Sequence, residues 1–509
     1  MLLRYTASAD NTIVSAYQQN LKIRATGSNT GQADIIEVFS VYGRQSAPTA
    51  ITGGSQELSR FLIKFPVDSI EADRDAGILP VSGNVSFYLR MFNAETSKTV
   101  PIDYTLSAHR ITKEWEEGTG LDLEEYKDLT KGNAGSDWVQ ARKGTNWTDF
   151  GGDYSTSPSY TFEQSFQTGL EDMSIDITSM VEDWIKEPLI QNYGFLIKLS
   201  SSQEAYFSSS AGVNENNNIQ NPSGATVSYY TKRFFARGTQ YFFKKPIIEA
   251  RWDSTLRDDR ANFYFSSSRA PAADNLNTLY FYNIVRGRLA NIPSVGTGAI
   301  LTSLYSGSSD DSAPSGSKLT LYDGNLNLTG GYVSTGVYSC SVGIESISNI
   351  DTLYDVWHDD TNEYFTGSIK PKSVESNTSL ANPNYYINVT NLKEVYSTEE
   401  IARINLYVRE RDWQPTIYTV ADNNIETTPI VSASYRVVRI LDGYEAVSYG
   451  NGTDNHTLMS YDSAGNYFNF KMGLLEPGYA YALKFSLYDD VSKSWHEQDP
   501  VFKFRVNEF

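Results

Sequence analysis

The feature that most constrains this chain is a two-residue alternation of apolar and polar side chains, recurring in short runs bounded by Gly, Pro, Asn or Asp. The stretch Leu475-Glu476-Pro477-Gly478-Tyr479-Ala480-Tyr481-Ala482-Leu483-Lys484-Phe485 shows it whole: Pro-Gly makes a turn, and alternating aromatics then enter a strand. Successive side chains on a strand point to opposite faces, so the alternation assigns every second residue to a buried surface. The same pattern, or a short apolar run, predicts strands at 60–65, 85–92, 194–199, 278–282, 318–322, 385–389, 404–408 and 501–506. Residues 1–10 already alternate like a strand, and Asp323-Gly324 is a hairpin signal.

Helical periodicity stands out once. Met180, Val181, Trp184 and Ile185 fall on one face, Thr178 or Ser179 can cap the helix, and Glu182 follows Ser179 at capping-box spacing. Pro188 limits its length. A short helix plugging one end of a sandwich accounts for Trp184. Composition agrees, since 35 Tyr and 24 Phe suit half-buried pleated surfaces and 36 Gly suit turns. The fold class read from the sequence is all-β.

At 509 residues the chain exceeds what one hydrophobic core supports. The pattern resets near Asp253, within a charged connector at 251–260, and a polar stretch at 372–384 marks a second boundary. Three regions follow: 1–257, 258–382 and 383–509, the last two of a size suited to immunoglobulin-like β-sandwiches. Between Trp115 and Phe162 lies an excursion too long for a hairpin loop, packed by its own aromatics. Residues 208–228, containing Asn214-Glu215-Asn216-Asn217-Asn218, read as an exposed loop, and 306–317 as another loop.

A net charge of −19 repels a phosphate backbone, so direct nucleic-acid binding is not expected. No apolar run is long enough to span a bilayer, and the N-terminal residues lack a signal-peptide core. The single Cys340 excludes an intramolecular disulfide framework and suits synthesis in a reducing cytoplasm. His109, His358, His456 and His496 show no metal-ligand spacing, and there is no nucleophile elbow or phosphate loop. Cys340 reads as a small apolar residue. The acidic cluster at 122–128 reads as solvated surface, with calcium as the less favoured use because EF-hand spacing is absent. Glu114, Glu116 and Glu117 flank Trp115, which raises a sugar platform beside acids against a core Trp with solvated neighbours. The expectation is a non-catalytic protein with no cofactor and no metal.

Four pieces resemble the DNRLRE-type domain, a jelly-roll β-sandwich related in architecture to carbohydrate-binding modules. They are Ser59-Arg60-Phe61-Leu62-Ile63-Lys64-Phe65, His109-Arg110-Ile111-Thr112-Lys113-Glu114-Trp115-Glu116-Glu117, Ile175-Asp176-Ile177-Thr178-Ser179-Met180-Val181-Glu182-Asp183-Trp184, and Asn192-Tyr193-Gly194-Phe195-Leu196-Ile197, in the family's order and spacing. The resemblance covers about half the chain and implies a fold and a surface or structural role. The last region is similar to a β-sandwich module of structural proteins in large marine T4-like phages, through Arg403-Ile404-Asn405-Leu406-Tyr407-Val408-Arg409, Gly465-Asn466-Tyr467-Phe468, 474–481 and the ending 501–506. Its Leu-x-Pro-Gly-x-x-Tyr segment also resembles fibronectin type III, where the tyrosine closes a corner.

These resemblances imply a tailed-phage virion component in the tail, baseplate, neck or fibre-attachment apparatus, made in the host cytoplasm and released by lysis. Its partners would be other virion proteins and further copies in a symmetric assembly. The rival expectation is an adhesion module recognising bacterial surface glycans. Under either reading, Trp115, Trp138 and Trp147 are the candidate glycan or partner contacts.

Overall fold

The computed structural model describes residues 1–17, 24–43, 55–97, 99–121, 134–186, 190–208, 218–308, 313–321, 324–345, 350–373, 385–411, 417, 427–450, 454–489 and 492–508. It divides into two compact units, Leu2–Trp252 and Asp253–Phe509. The division falls inside the expected connector, at Asp253, and Arg251 still belongs to a strand, paired with Leu2. Among the described residues, no helix is long and apolar enough to cross a membrane.

The first unit runs β1 (Leu2–Thr6), β2 (Ala9–Ser15), β3 (Ile35–Gly43), β4 (Ser55–Lys64), α1 (Val67–Asp75), β5 (Ser86–Met91), β6 (Tyr104–Arg110), β7 (Gln140–Arg142), β8 (Thr145–Asn146), β9 (Thr161–Phe166), β10 (Met173–Asp176), α2 (Thr178–Lys186), β11 (Phe195–Leu199), β12 (Tyr229–Phe235) and β13 (Ile247–Arg251). One sheet has the order β1-β13-β5-β10 and the other β12-β3-β4-β11-β6-β9. In the larger sheet Leu58 of β4 pairs with both Ser15 and Ser40, so β2 lies along the edge of β4 opposite β3.

β5 shows the predicted alternation directly, with Phe87, Leu89 and Met91 buried and the residues between them half-buried. Phe61, Phe166 and Phe234 meet edge to face in the core. The α2 helix forms where its periodicity placed it, and Trp184 packs against Phe195 with ring centroids 5.1 Å apart. Thr178 and Ser179, the expected caps, lie within the helix itself. The Thr178 hydroxyl accepts from the Phe87 N–H at 2.8 Å, tying the helix start to β5, and Glu182 pairs with Arg74 at 2.6 Å. That pair joins α2 to α1, a second helix that the sequence pattern did not reveal.

The second unit begins with β14 (Asn277–Tyr282), β15 (Ile284–Val285), β16 (Arg288–Leu289), β17 (Ile300–Gly307), β18 (Leu328–Ser334), β19 (Val337–Val342), β20 (Thr352–His358) and β21 (Glu363–Ile369). In a sheet of order β14-β19-β18-β17-β20-β21, β18 pairs with β17 through Leu328–Gly330 and with β19 from Gly331 onward, so it crosses between its two neighbours. The crossing needs glycine: a Cβ on Gly330 would sit 2.7 Å from the Ser339 carbonyl oxygen. The curled sheet encloses Phe281, Tyr338, Cys340 and Trp357, and Phe281 of β14 stacks on Phe365 of β21 at 5.5 Å. The predicted strand at 318–322 does not form over its described residues. Lys318 makes one isolated bridge to Tyr305, while Leu319 and Leu321 still supply the core. Asp323 of the hairpin signal lies outside the described residues.

The chain continues with β22 (Tyr385–Val389), β23 (Val395–Ser397), β24 (Ile401–Glu410), β25 (Ala433–Arg439), β26 (Glu445–Val447), β27 (Ser460–Asp462), β28 (Gly465–Lys471), β29 (Ala480–Asp489), β30 (Ser494–Glu497) and β31 (Phe502–Asn507). The sheets β22-β24-β28-β27 and β23-β31-β29-β25-β26 meet through Tyr435 of β25 stacked on Phe468 of β28, 3.8 Å between centroids. The tyrosine corner is present. Gly478 adopts φ +86° in the Pro-Gly turn, and the buried Tyr481 hydroxyl donates to the Glu476 carbonyl at 2.8 Å.

Candidate functional site

The excursion after Ile111 contains the three tryptophans expected to contact a ligand or partner. All three are buried, at 9% exposure for Trp115, 0% for Trp138 and 5% for Trp147, and they share one cluster with Ile13, Leu58, Leu62 and Leu196. Their indoles are engaged as well: Trp115 Nε1 donates to the Tyr193 carbonyl at 2.7 Å and Trp147 Nε1 to that of Asp137 at 2.8 Å. The expected platform is thus corrected at these positions. A ring packed on both sides has no face left for a sugar, and the excursion is a lid on the outer face of the larger sheet.

Beneath that lid the sheet carries charge. Arg60 forms a fork to Glu204 at 2.9 and 3.0 Å and donates to the Gly151 carbonyl at 3.1 Å. Lys198 reaches the same carboxylate at 3.1 Å. The Arg60 guanidinium lies 5.4 Å from the Trp138 ring centroid, a cation–π contact. Burial, with the Lys198 cation nearby, pushes His109 down to about 4. His109 therefore stays neutral, bonded through Nδ1 to the Ser155 carbonyl and through Nε2 to the Ser107 hydroxyl.

The three glutamates flanking the first tryptophan diverge. Glu114 pairs with Arg142 at the surface, whereas Glu117 bonds the Asp10 N–H and the Arg237 side chain. The acidic cluster at 122–128 and Asn214–Asn217 lie outside the described residues. Asn218 and Asn221, expected on an exposed loop, are buried, and the Asn221 amide ties the 201 and 204 carbonyls together. Among the described residues no group of three His, Cys, Asp or Glu could hold a metal.

One constellation looks like a nucleophile relay. Ser303 Oγ lies 2.7 Å from His358 Nε2, and His358 Nδ1 lies 3.7 Å from Asp360 Oδ1. The hydrogen bonds assign a different role. Asp360 N–H donates to Nδ1 at 3.1 Å, so the ring proton sits on Nε2 and points at Ser303. The Ser303 hydroxyl then gives its proton to Asn327 Oδ1 at 2.9 Å. This tautomer offers Ser303 no base. Burial likewise drives the Cys340 thiol up to about 12, which leaves it an apolar core residue.

Two concave surfaces stand out among the described residues. In the first unit, Lys64, Phe65, Pro66, Val67, Asp68, Glu71 and Trp184 help to line a cavity of about 420 Å³ at the start of α1. The Trp184 Nε1–H is buried and has no acceptor among the described residues. In the second unit, Tyr385, Arg411, Tyr488, Asp489, His496 and Asp499 line a groove of about 330 Å³. Beside it Trp495 is 46% exposed and packs on Tyr488 at 5.4 Å. Sequence reasoning missed both surfaces, although Trp495 between charged and hydroxyl neighbours on a short edge strand was a readable signal.

No protein-family model matches the chain, and no curated protein matches it. Among solved structures it is similar to native Escherichia coli alpha-2-macroglobulin, with 10% identity over 92% of this chain and 32% of that one at a TM-score of 0.16. It is also similar to Salmonella alpha-2-macroglobulin reacted with methylamine, with 9% identity over 99% and 34% of the two chains at a TM-score of 0.15. The chain spans about a third of the length of these proteins. A superposition this poor fixes neither a fold family nor a function.

Proposed function

We propose that this chain is a non-catalytic structural subunit of a tailed-phage virion, in the tail, baseplate, neck or fibre-attachment apparatus, and that it works by protein–protein contact. The observation that carries this reading is where apolar side chains are left uncovered. Trp115, Trp138 and Trp147 serve the core, while Ile78, Val81, Ile284, Val285 and Leu289 remain 46–68% exposed in two surface groups, a pattern that favours partner contact. The motif resemblances to phage structural proteins support the virion assignment. Mass spectrometry and cryo-electron microscopy of purified particles test it: the chain is expected at fixed stoichiometry and in density. Its absence from every particle preparation sinks the reading.

Trp495 supports a second reading, recognition of bacterial surface glycans. An exposed indole next to a groove with carboxylate, imidazole and guanidinium groups combines a stacking face with hydrogen-bonding groups. Glycan-array binding that disappears in Trp495→Ala and persists in Trp115→Phe would support it. An array with no bound glycan would remove it.

A further inference from the structure

The short hairpin β15–β16 is exposed along its whole length. Two paired residues per strand are not a stable ribbon by themselves. The turn between them uses Arg286 at φ +51° and Gly287 at φ +78°, the mirror-image turn that suits hairpin twist. Its side chains are Ile284 and Val285, 62% and 51% exposed, Leu289 at 46%, and two exposed arginines, Arg286 and Arg288. Neither arginine has an ion-pair partner among the described residues. On a chain of net charge −19, residues 275–309 contain no Asp or Glu, and these arginines are their only charged groups.

The cavity at α1 is its complement. Asp68 and Glu71 stand on its rim, exposed and without a cationic partner among the described residues, and Asp75 is exposed one turn further along the helix. Phe65, Pro66, Val67 and Trp184 give it apolar walls. Ile78 and Val81, 50% and 68% exposed, follow the helix directly.

We infer that the Ile284–Leu289 hairpin of one copy docks in the α1 cavity of a second copy of this chain. Arg286 and Arg288 meet Asp68 and Glu71, and the hairpin aliphatics cover Ile78 and Val81. The two halves of the contact are different surfaces, so copies join head to tail and close into a ring or extend as a filament. The contact deepens the assembly reading and rests on it.

Sedimentation velocity across a concentration series, at low and at physiological salt, tests the contact on the full chain. Self-association that weakens as salt rises is expected. Arg286→Glu with Arg288→Glu, and separately Asp68→Arg with Glu71→Arg, each weaken it by more than about tenfold through like-charge opposition. These side chains are exposed and have no ion-pair partner among the described residues, and circular dichroism verifies that each variant folds. The chain carrying all four reversals regains association. A wild-type chain that stays monomeric at every concentration and at low salt overturns the inference, as does either double reversal that associates like wild type or a four-fold reversal that does not recover. Loss of self-association in a chain still found in particles overturns the hairpin contact alone. Absence from particles with intact self-association overturns the virion reading alone.

Discussion

The two units handle charge in opposite ways. In Leu2–Trp252 the larger sheet is covered on both faces, so Arg60, Lys198 and Glu204 are sealed beneath the tryptophan lid. Glu249, on the smaller sheet, is buried among Arg4, Arg90 and Arg251, which hold its carboxyl well below the usual range. In Asp253–Phe509 the cores are aromatic, and the charges cluster outside, as where Glu497 meets Arg436 and Lys484. Asp355 and Asp258 around Arg260 form an inner exception. A sheet buried on both faces has nowhere to put a cation except against a paired carboxylate, whereas a one-sided sheet can leave it in water.

The largest expected effect breaks the first unit at its buried carboxylate. Glu204→Ala leaves Arg60 and Lys198 dehydrated and uncompensated, which costs about 3–5 kcal/mol. Hydrogen exchange read by mass spectrometry is expected to show the loss within Leu2–Trp252 and leave Asp253–Phe509 protected. A loss of under ~1 kcal/mol would show that the lid is open to water.

The pH response sharpens the same contrast inside the first unit. Desolvation pushes Asp10 up to about 7 and His109 down to about 4. For Asp10 the folded chain holds the proton more tightly, so its stabilisation falls as pH rises from about 4 to 7. For His109 the unfolded chain holds it more tightly, so stability falls as pH drops from about 6.5 to 4. The two nearly cancel. Asp10→Asn removes one arm, and the variant is expected to lose roughly 2–3 kcal/mol between pH 6.5 and 4. His109→Gln removes the other, and that variant gains stability over the same interval. Urea midpoints measured across this range test both signs.

Strands were legible wherever one face is less buried than the other, as in 86–91 and 404–408, because exposure writes the alternation into the sequence. α1 was not, since only Val67 and Ile70 among its residues are buried and two apolar positions do not make a periodic face. The tryptophans of the lid were recognised as packing or platform, but sequence cannot say what lies on the second face of a ring. Trp115, Trp138 and Trp147 became core only once Leu58, Leu62 and Leu196 were seen to arrive beneath them from β4 and β11. The hairpin at Ile284 escaped notice because four strand residues give too short a run to read.

A smaller effect probes the aromatic side of the comparison. Tyr481→Phe keeps the ring in its core and removes only the hydrogen bond to the Glu476 carbonyl. The expected cost is about 1 kcal/mol, confined to the second unit. A much larger loss would mean that the corner sets the register of β29.

The smallest expected effect lies at the surface. Glu497 receives Arg436 at 2.8 Å and Lys484 at 2.8 Å, as well as the Tyr449 hydroxyl at 3.0 Å, so its set of partners rivals that of Glu204. Its partners are only partly buried, and water can solvate Arg436 and Lys484 once the carboxylate is gone. Glu497→Ala should therefore cost ~0–1 kcal/mol and become costless in high salt. Two glutamates with similar partner sets would then differ severalfold in cost, and the difference is the water that reaches one pair of cations and not the other. Equal costs for Glu204→Ala and Glu497→Ala in the same denaturation assay would remove burial as the explanation.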